Sequence, residues 1–405
     1  MPTFQTESPP VLLLGGIQNS LAIVRSLGKR NIPVSVAARA PRPALRSRFC
    51  AHRYIIPPGE APDSFWGNLL LGGSRSDLGG SVIFACDDFA VTFLAKHRAE
   101  LQNRYILDNF IPSLQLAMLD KQRTLELARS AGCAAPQFWK VDTLEDLRTV
   151  HSTAKFPTMV KPIHSHVFES ALGRKFFIAH SHQELDEHVR QVLHRQLRIM
   201  VCEIIPGRDS TAQSSYYTYI DSQGRQLFRF TKRVLRRTPE FGGRAVLHKT
   251  EWLPETAEVG ERFFRGIGFR GLGHIEFKRD HRDGQLKVIE CNPRFTEAQE
   301  LLLRCGLDTA YLVYRQLTGR PLPPTKSYTE NLFLWYPVRD LIDQWKGRHG
   351  LSTGRWLESV LHWNTVFPYF SLEDPWPSCG LAIDELRRRL QVRRLARTRQ
   401  AEATA

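Results

Sequence analysis

Apolar runs alternate with amphipathic segments in the first quarter of the chain. VLLLGG begins at residue 11, IQNSLAIVRSLGKRN follows, and IPVSVAA completes the unit near residue 38. A further apolar run, SVIFACDD at 81–88, ends in two carboxylates and precedes a predicted helix at 89–102. Buried strands that alternate with helices are typical of a parallel α/β fold. The pattern predicts an N-terminal parallel α/β domain over residues 1–117.

The pattern changes after residue 118, where shorter alternating runs are separated by Pro and Gly turns. It predicts an α+β region that divides into 118–200 and 201–325, followed by a Trp- and Arg-rich extension over 326–405. The predicted elements are a helix ending near Gly132, strands at 156–162 and 200–205, a hairpin around Gln223-Gly224, a helix at 254–267 and a helix from Glu297 to near Gly319.

One hairpin carries the strongest chemical signal. Residues 274–295 read HIEFKRDHRDGQLKVIECNPRF, and the Asp-Gly within them is a common turn signal. Closure around Asp283 predicts that Glu276 lies opposite Glu290 and that Phe277 lies opposite Ile289. Like charges across a strand pair are destabilising unless they are compensated. Mg²⁺ would compensate them, because it prefers oxygen ligands, and Asn292 would add a neutral one.

The same alternation divides this hairpin into two faces. The predicted apolar face consists of Ile275, Phe277, Ile289 and Cys291, and the opposite face of Glu276, Lys278, Val288 and Glu290. The alternative to a metal site is a solvated hairpin whose glutamates pair with Lys278 and Lys287.

Composition and charge limit the function classes. The chain has 405 residues and a formal net charge of +15, which suits anionic partners. Its seven cysteines form no C-x-x-C, which argues against a disulfide framework or a zinc site and favours a cytoplasmic location. No apolar run is long enough for a transmembrane helix. The turn GGIQNS with Arg39 lacks the third glycine of a dinucleotide-binding motif, so a nicotinamide oxidoreductase is not favoured.

Four segments together carry a resemblance. They are the lysine of DK at 120–121, the lysine of VKP at 160–162, EIIPGRD at 203–209, and HIEF…VIECNPRF. In this order they resemble the ATP-grasp superfamily of carboxylate–amine ligases, over roughly residues 10–320. The resemblance implies the ATP-grasp fold, and ATP with Mg²⁺ or Mn²⁺ as cofactors.

The resemblance also implies roles for individual residues. Phosphate contacts are implied for Lys121, Lys161 and Lys175, adenine contacts for the backbones of Glu203 and Ile205, a ribose contact for Asp209, and metal ligation for Glu276, Glu290 and Asn292. The implied catalytic residues are Arg294, Lys232, Arg244 and His274.

The sequence departs from the family pattern at two places. The segment IHSHVFESALGRKFF lacks the glycines of the usual phosphate lid, and His164, Ser165, His166 and Lys175 are candidate substitutes. His274 stands where some relatives have arginine, and a structural role is its alternative.

The segment TKRVLRRTPEFGGRAVLH at 231–248 resembles the substrate-contacting loop of the carbamoyl phosphate synthetase-like branch. Its candidate contacts are Arg233, Arg236, Arg237 and Arg244, and the alternative is a charged flexible loop. Asp87 and Asp88 would orient an amine, or cap the next helix.

The resemblance implies a Mg-ATP-dependent ligase that joins a small-molecule carboxylate to an amine, within cell-envelope or polysaccharide modification. The alternatives are an ATP-grasp-like nucleotide sensor without ligation and an anionic-surface-binding protein. No nucleic-acid module is recognisable. The expected location is the cytoplasm, with contact between the Arg-rich C-terminus and the anionic inner face of the membrane. The substrates' identity and the oligomeric state stay open, and a homo-oligomer is compatible with the sequence.

Overall fold

The computed structural model describes residues 8–73, 75–163, 172–239, 242–324, 327–384 and 387. The chain forms two compact units. The first comprises Met1–Asp108, Phe295–Pro324 and Phe367–Ala405, and the second comprises Asn109–Arg294 and Thr325–Val366.

The first unit contains a four-stranded parallel sheet in the order β3-β2-β1-β4. Its strands are β1 (Val11–Leu14), β2 (Val34–Arg39), β3 (Cys50–Ile56) and β4 (Val82–Ala85). The α-helices of this unit are Gln18–Gly28, Pro62–Leu71, Asp88–Lys96, Arg98–Leu101, Gln299–Arg304 and Thr309–Leu317, with 3₁₀ turns at Pro43–Arg46 and Ser76–Leu78. All four residues of β1 are buried, as a parallel strand covered on both faces requires. The predicted parallel α/β architecture is confirmed.

Asp87 fixes the glycine turn that follows β1. Its carboxylate accepts hydrogen bonds from the backbone N–H of Gly16 (3.0 Å) and of Ala90 (2.9 Å), the second of which caps helix Asp88–Lys96. Gly15 and Gly16 have φ of +70° and +88°, and a Cβ on Gly15 would lie 1.9 Å from the Asp87 carboxylate. Both residues therefore have to be glycine, and Asp87 fills the capping role given as its alternative.

The second unit begins with a four-stranded antiparallel sheet in the order β5-β8-β6-β7. Its strands are β5 (Phe138–Val141), β6 (Thr158–Pro162), β7 (Phe177–Ala179) and β8 (Ile199–Glu203). Helices Leu147–Thr153 and His182–Leu193 bury their apolar residues against it, with Val150 and Val189 fully buried beside Val201. This packing is the expected result of a sheet with one apolar face.

A seven-stranded sheet in the order β13-β12-β9-β10-β11-β14-β15 forms the rest of the second unit. Its strands are β9 (Gln213–Ile220), β10 (Gln226–Thr238), β11 (Arg244–Thr250), β12 (Gly271–Arg279), β13 (Leu286–Asn292), β14 (Phe333–Trp335) and β15 (Thr365–Val366). The remaining helices of the unit are Pro112–Leu119, Lys121–Ser130, Asp209–Ala212, Pro254–Gly266, Pro337–Trp345 and Thr353–Val360. Leu125, Phe264 and Phe277 are fully buried in the core beneath β12 and β13. No described helix is long and apolar enough to cross a bilayer.

The structure differs from the prediction at residues 231–248 and 297–319. Residues 231–238 and 244–248 belong to the paired strands β10 and β11, so the flexible-loop alternative is wrong for them. They form strands because Phe228, Phe230 and Val234 alternate into the interior. The single helix predicted from Glu297 to Gly319 is two helices. Gly306, at φ +93°, ends the first, and Asp308 caps the second by accepting from the N–H of Tyr311.

The register of the β12–β13 hairpin is the feature on which the site depends. Glu276 lies opposite Glu290, as predicted, but Phe277 lies opposite Val288, so its predicted pairing with Ile289 is wrong. A register shift between Glu276 and Phe277 leaves one extra residue on β13, which is a β-bulge. Val288 is therefore fully buried in the core, whereas Ile289 is half-exposed. The predicted division of faces is wrong for these two residues.

The bulged register predicts different losses of stability when two neighbouring residues are truncated. We expect Val288→Ala to lower the free energy of unfolding by about 2 kcal/mol, because it removes buried apolar atoms from the core. Ile289→Ala removes more atoms and should nevertheless cost about 1 kcal/mol or less. Urea unfolding of the two variants beside the wild type measures both, and a larger loss for Ile289→Ala would contradict the bulged register.

Candidate active site

Four polar residues form a row across four neighbouring strands of the seven-stranded sheet. Glu290 on β13 pairs with Glu276 on β12, Glu276 pairs with Ser215 on β9, and Ser215 pairs with Lys232 on β10. Because paired residues point to the same side of a sheet, all four side chains share one face. The row thus places two carboxylates at one end and an ammonium group at the other.

His274, Asn292 and Arg294 flank the acid pair. His274 pairs with Asn292 across the hairpin, one alternation away from the glutamates. The Asn292 amide N–H lies 3.4 Å from Oε1 of Glu290 and 3.5 Å from Nδ1 of His274, and Asn292 Oδ1 accepts from Arg294 at 3.0 Å. The structure therefore brings together all three predicted metal ligands and two predicted catalytic residues.

Arg237 compensates the charge of Glu276. Its guanidinium donates to Glu276 Oε2 at 2.9 Å, to Gln213 Oε1 at 2.7 Å and to the Gly243 carbonyl at 3.1 Å. The alternative named Lys278 and Lys287 as partners of the glutamates, and it is wrong for Lys287, which pairs with Asp280. Sequence reasoning named Arg237 only among four arginines, since the bulges in β10 decide where each of them points.

The other arginines of β10 have different partners. Arg236 is buried and forms a bidentate ion pair with Asp340 at 2.6 and 2.7 Å, and Arg233 pairs with Glu251 at 3.0 Å. Arg236 and Arg233 therefore stabilise the sheet rather than contribute to the acid pair. Arg244 is half-buried at the start of β11, opposite Thr238.

Lys232 is a buried cation whose hydrogen-bonding neighbours are polar and neutral. Its side chain is 2% exposed, and its ammonium donates to Ser215 Oγ at 3.1 Å and lies 3.4 Å from His248 Nδ1. Burial lowers the pKa of Lys232 to about 8, Glu276 opposes this shift, and Arg237 adds to it. Sequence reasoning missed Ser215 and His248, whose proximity depends on the strand order β12-β9-β10-β11.

The two buried histidines of this face are neutral. Burial holds the pKa of His274 well below its usual range, and Lys232, Arg294 and Arg237 lower it further. Burial, with Lys232, does the same to the pKa of His248. His274 Nε2 has no hydrogen-bond partner among the described residues and lies 3.9 Å from Glu276 Oε1. A buried polar atom without a partner is rare in a folded protein, which marks this edge of the acid pair as a place for a ligand.

The predicted nucleotide-contacting residues lie on the four-stranded sheet and its neighbours. Lys161 is half-buried on β6, and its side chain makes no hydrogen bond or ion pair with another described residue. Glu203 ends β8, where its backbone N–H donates to Gln137 and its carboxylate accepts from Gln137 N–H and pairs with Arg282. Ile205 follows and is buried, and its backbone makes no hydrogen bond to another described residue. Its N–H and carbonyl are thus available to a ligand.

The remaining predicted contacts are placed as follows. Lys121 is the first residue of helix Lys121–Ser130, which packs on the apolar side of β13 through Leu125. Lys175 is half-buried just before β7, and Asp209 is the first residue of helix Asp209–Ala212. His164, Ser165 and His166 lie outside the described residues.

The donor set fits a hard cation that brings ligands of its own. Glu276, Glu290 and Asn292 offer oxygen atoms on one face, and hard oxygen donors are what Mg²⁺ prefers. Within the described ranges no group of three or more His, Cys, Asp or Glu side chains could hold a metal. Mg²⁺ commonly binds one or two carboxylates together with substrate phosphates and water, so two carboxylates are enough.

Comparison with solved structures identifies the class of fold. The biotin carboxylase domain of Hydrogenobacter thermophilus 2-oxoglutarate carboxylase, in complex with MgADP, ADP and bicarbonate, superposes with a TM-score of 0.62 at 15% identity over 80% of this chain and 73% of that one. An L-amino acid ligase from Bacillus licheniformis gives a TM-score of 0.56 at 18% identity, over 77% of this chain and 75% of that one. The chain therefore has the fold of the ATP-grasp superfamily, as the resemblance implied.

Sequence comparison adds one curated relative. A D-aspartate ligase of Enterococcus faecium (strain Aus0004) is 24% identical over 242 residues, which cover 57% of this chain and 57% of that protein. The chain thus matches little more than half the length of this relative. No family model matches the chain.

The lowered pKa of Lys232 predicts that the stability of the protein depends on pH. Its pKa is about 8 in the folded state and 10.5 in an ordinary environment, so the unfolded chain holds this proton to higher pH. The buried charge costs stability in full below pH 8, and the cost shrinks as pH rises towards 10.5. The stability of the wild type relative to Lys232→Met should therefore rise by roughly 3 kcal/mol between pH 8 and 10.5.

Denaturant unfolding of both proteins at several pH values measures this difference. The exposed Lys155→Met provides the matched control, and its difference from the wild type should change little with pH. A pH-independent difference for Lys232→Met would show that the folded protein does not perturb Lys232.

Proposed function

We propose that this protein is a Mg-ATP-dependent ligase that joins a carboxylate, through an acyl phosphate, to an amine, with release of ADP and phosphate. The observation that carries the proposal is the pairing of Glu276 with Glu290 across β12 and β13, beside Asn292 and Arg294. The similarity to a D-aspartate ligase and to an L-amino acid ligase supports it.

The acid pair would hold the metal. Glu276 and Glu290 would each supply carboxylate oxygens, and Asn292 Oδ1, which uses one lone pair on Arg294, has a second lone pair for the cation. When bound, Mg-ATP supplies a phosphoryl group whose charge the metal offsets. The known MgADP complex of the Hydrogenobacter thermophilus domain supports this choice of nucleotide and metal.

The cations of the same sheet face would bind the anionic reactants. Arg237 and Arg294 lie beside the acid pair and Lys232 lies at the other end of the polar row, so this sheet face carries more positive than negative charge. Such a site offsets the repulsion between a carboxylate and a triphosphate, which is the main task in this chemistry. His274 is neutral and would donate or accept a hydrogen bond through Nε2 rather than act as a cation.

The other predicted contacts remain part of this proposal. Lys121, Lys161 and Lys175 would contact phosphates, Glu203 and Ile205 would bind adenine through their backbones, Asp209 would hold the ribose, and Arg244 would contact substrate. Of these, Ile205 has the clearest structural support, because its backbone groups lack partners among the described residues.

The substrates are proposed only as chemical classes. The names of the two ligases point to amino acids as the first carboxylates and amines to test. A role in cell-envelope or polysaccharide modification, a cytoplasmic location and a homo-oligomeric state stay predictions. The Arg-rich C-terminal segment proposed to contact a membrane lies almost entirely outside the described residues.

Turnover tests the proposal. ADP release should appear with Mg-ATP and one particular acid–amine pair from a panel of amino acids, hydroxy acids and amino sugars. Glu290→Gln should lower that rate by at least about a hundredfold, because one metal-binding charge is lost.

The control for this experiment is Glu258→Gln, which makes the same change on the exposed side of helix Pro254–Gly266. It should leave the rate unchanged. Nucleotide binding without turnover for any pair would favour the sensor alternative, and an equal rate for Glu290→Gln would exclude the acid pair from catalysis.

A further inference from the structure

Helix Pro337–Trp345 turns its acidic residues inward and its apolar residues outward. Asp340 and Asp343 are 0% and 3% exposed, whereas Val338, Leu341 and Trp345 are 61%, 47% and 87% exposed. The spacing 338, 341, 345 puts these three residues in one stripe along the helix. An ordinary surface helix has the opposite arrangement.

A buried arginine explains why the acids face inward. Arg236 on β10 has a buried guanidinium, and Asp340 accepts two hydrogen bonds from it. Asp340 also accepts from the indole N–H groups of Trp335 (2.8 Å) and Trp356 (3.1 Å). Rotating the helix to bury its apolar stripe would leave Arg236 as an unpaired buried charge, which is costly. The outward apolar stripe is therefore fixed by the fold of this unit.

The next helix also exposes apolar side chains. Trp356 and Val360 of Thr353–Val360 pack inward on Leu247, next to Asp340. Leu357 and Leu361, four residues apart, are 40% and 72% exposed on its other side. Trp363 follows and is 98% exposed. We call the exposed apolar residues of these two successive helices, together with Trp363, the apolar face; they are Val338, Leu341, Trp345, Leu357, Leu361 and Trp363.

Basic residues accompany this face. Between residues 337 and 363 the exposed basic residues are Arg339, Lys346, Arg348 and Arg355. The exposed acidic residue of this range is Glu358. The other two acids of the segment, Asp340 and Asp343, are buried. Exposed tryptophans and leucines with surrounding Lys and Arg are the composition that binds the interface of an anionic membrane.

We propose that the apolar face docks on the surface of an anionic lipid bilayer. The charge pattern selects this occupant over a second copy of the chain, since a two-fold contact would bring the same basic residues of both copies together. On a bilayer the six apolar side chains enter the headgroup region, while Arg339, Lys346 and Arg355 meet anionic headgroups. The proposal does not depend on the ligase activity.

Co-sedimentation of the full chain with vesicles tests this inference. The wild type should bind vesicles of phosphatidylcholine with phosphatidylglycerol, bind pure phosphatidylcholine vesicles less, and lose binding as salt rises. The variant Trp345→Ser/Trp363→Ser should bind anionic vesicles about tenfold more weakly, because two large apolar side chains no longer enter the interface.

A matched leucine pair provides the control. Leu361→Ser should weaken binding, whereas Leu144→Ser, which alters an exposed leucine in the β5-to-helix connection, should not. Circular dichroism of each variant checks that it is folded. Two results would overturn the proposal: no binding of the wild type to anionic vesicles, or equal binding of wild type and double variant. A wild type that dimerises through this face and does not bind vesicles would assign the face to a second copy instead.

Discussion

The opposition of Glu276 and Glu290 is the constraint on which the site depends. Two carboxylates at paired positions of adjacent antiparallel strands repel each other, and the fold retains them because Arg237 balances one and Asn292 lies beside the other. The bulge at Ile289 keeps this pair in register while it turns Val288 into the core. The same residue thus links the stability of the hairpin to the placement of its acids. In the proposed function, a cation with its phosphate ligands would complete the arrangement.

Local sequence pattern predicted much of the architecture. The strands of the parallel sheet, the hairpin around Gly224 and the acid pair follow from runs of alternation and from turn residues, which act over a few positions. The bulges in β10 and β13 could not be predicted from the sequence pattern, because the alternation of apolar and polar residues continues through them without a visible break. The extra residue in β13 exchanged the faces of Val288 and Ile289, and the bulges in β10 decided which arginine reaches Glu276.

The site shows the same division between local and distant information. Glu276, Glu290, Asn292 and Arg294 lie within one hairpin, so their proximity could be predicted. Ser215 and His248 join Lys232 only because β9 and β11 flank β10, and strand order is a property of the whole sheet. The outward apolar stripe of helix Pro337–Trp345 likewise depends on a partner, Arg236, about a hundred residues earlier in the chain. Long-range pairings of this kind cannot be read from periodicity alone.

The most direct test of the central claim is the unfolding temperature of wild type and Glu290→Gln, each with and without Mg-ADP. Without ligand, the variant should be at least as stable as the wild type, since one of two facing charges is gone. Mg-ADP should raise the unfolding temperature of the wild type alone, because binding stabilises only the protein that can hold the metal. An equal rise in both proteins, or no rise in either, would contradict a Mg-nucleotide site at the Glu276–Glu290 pair.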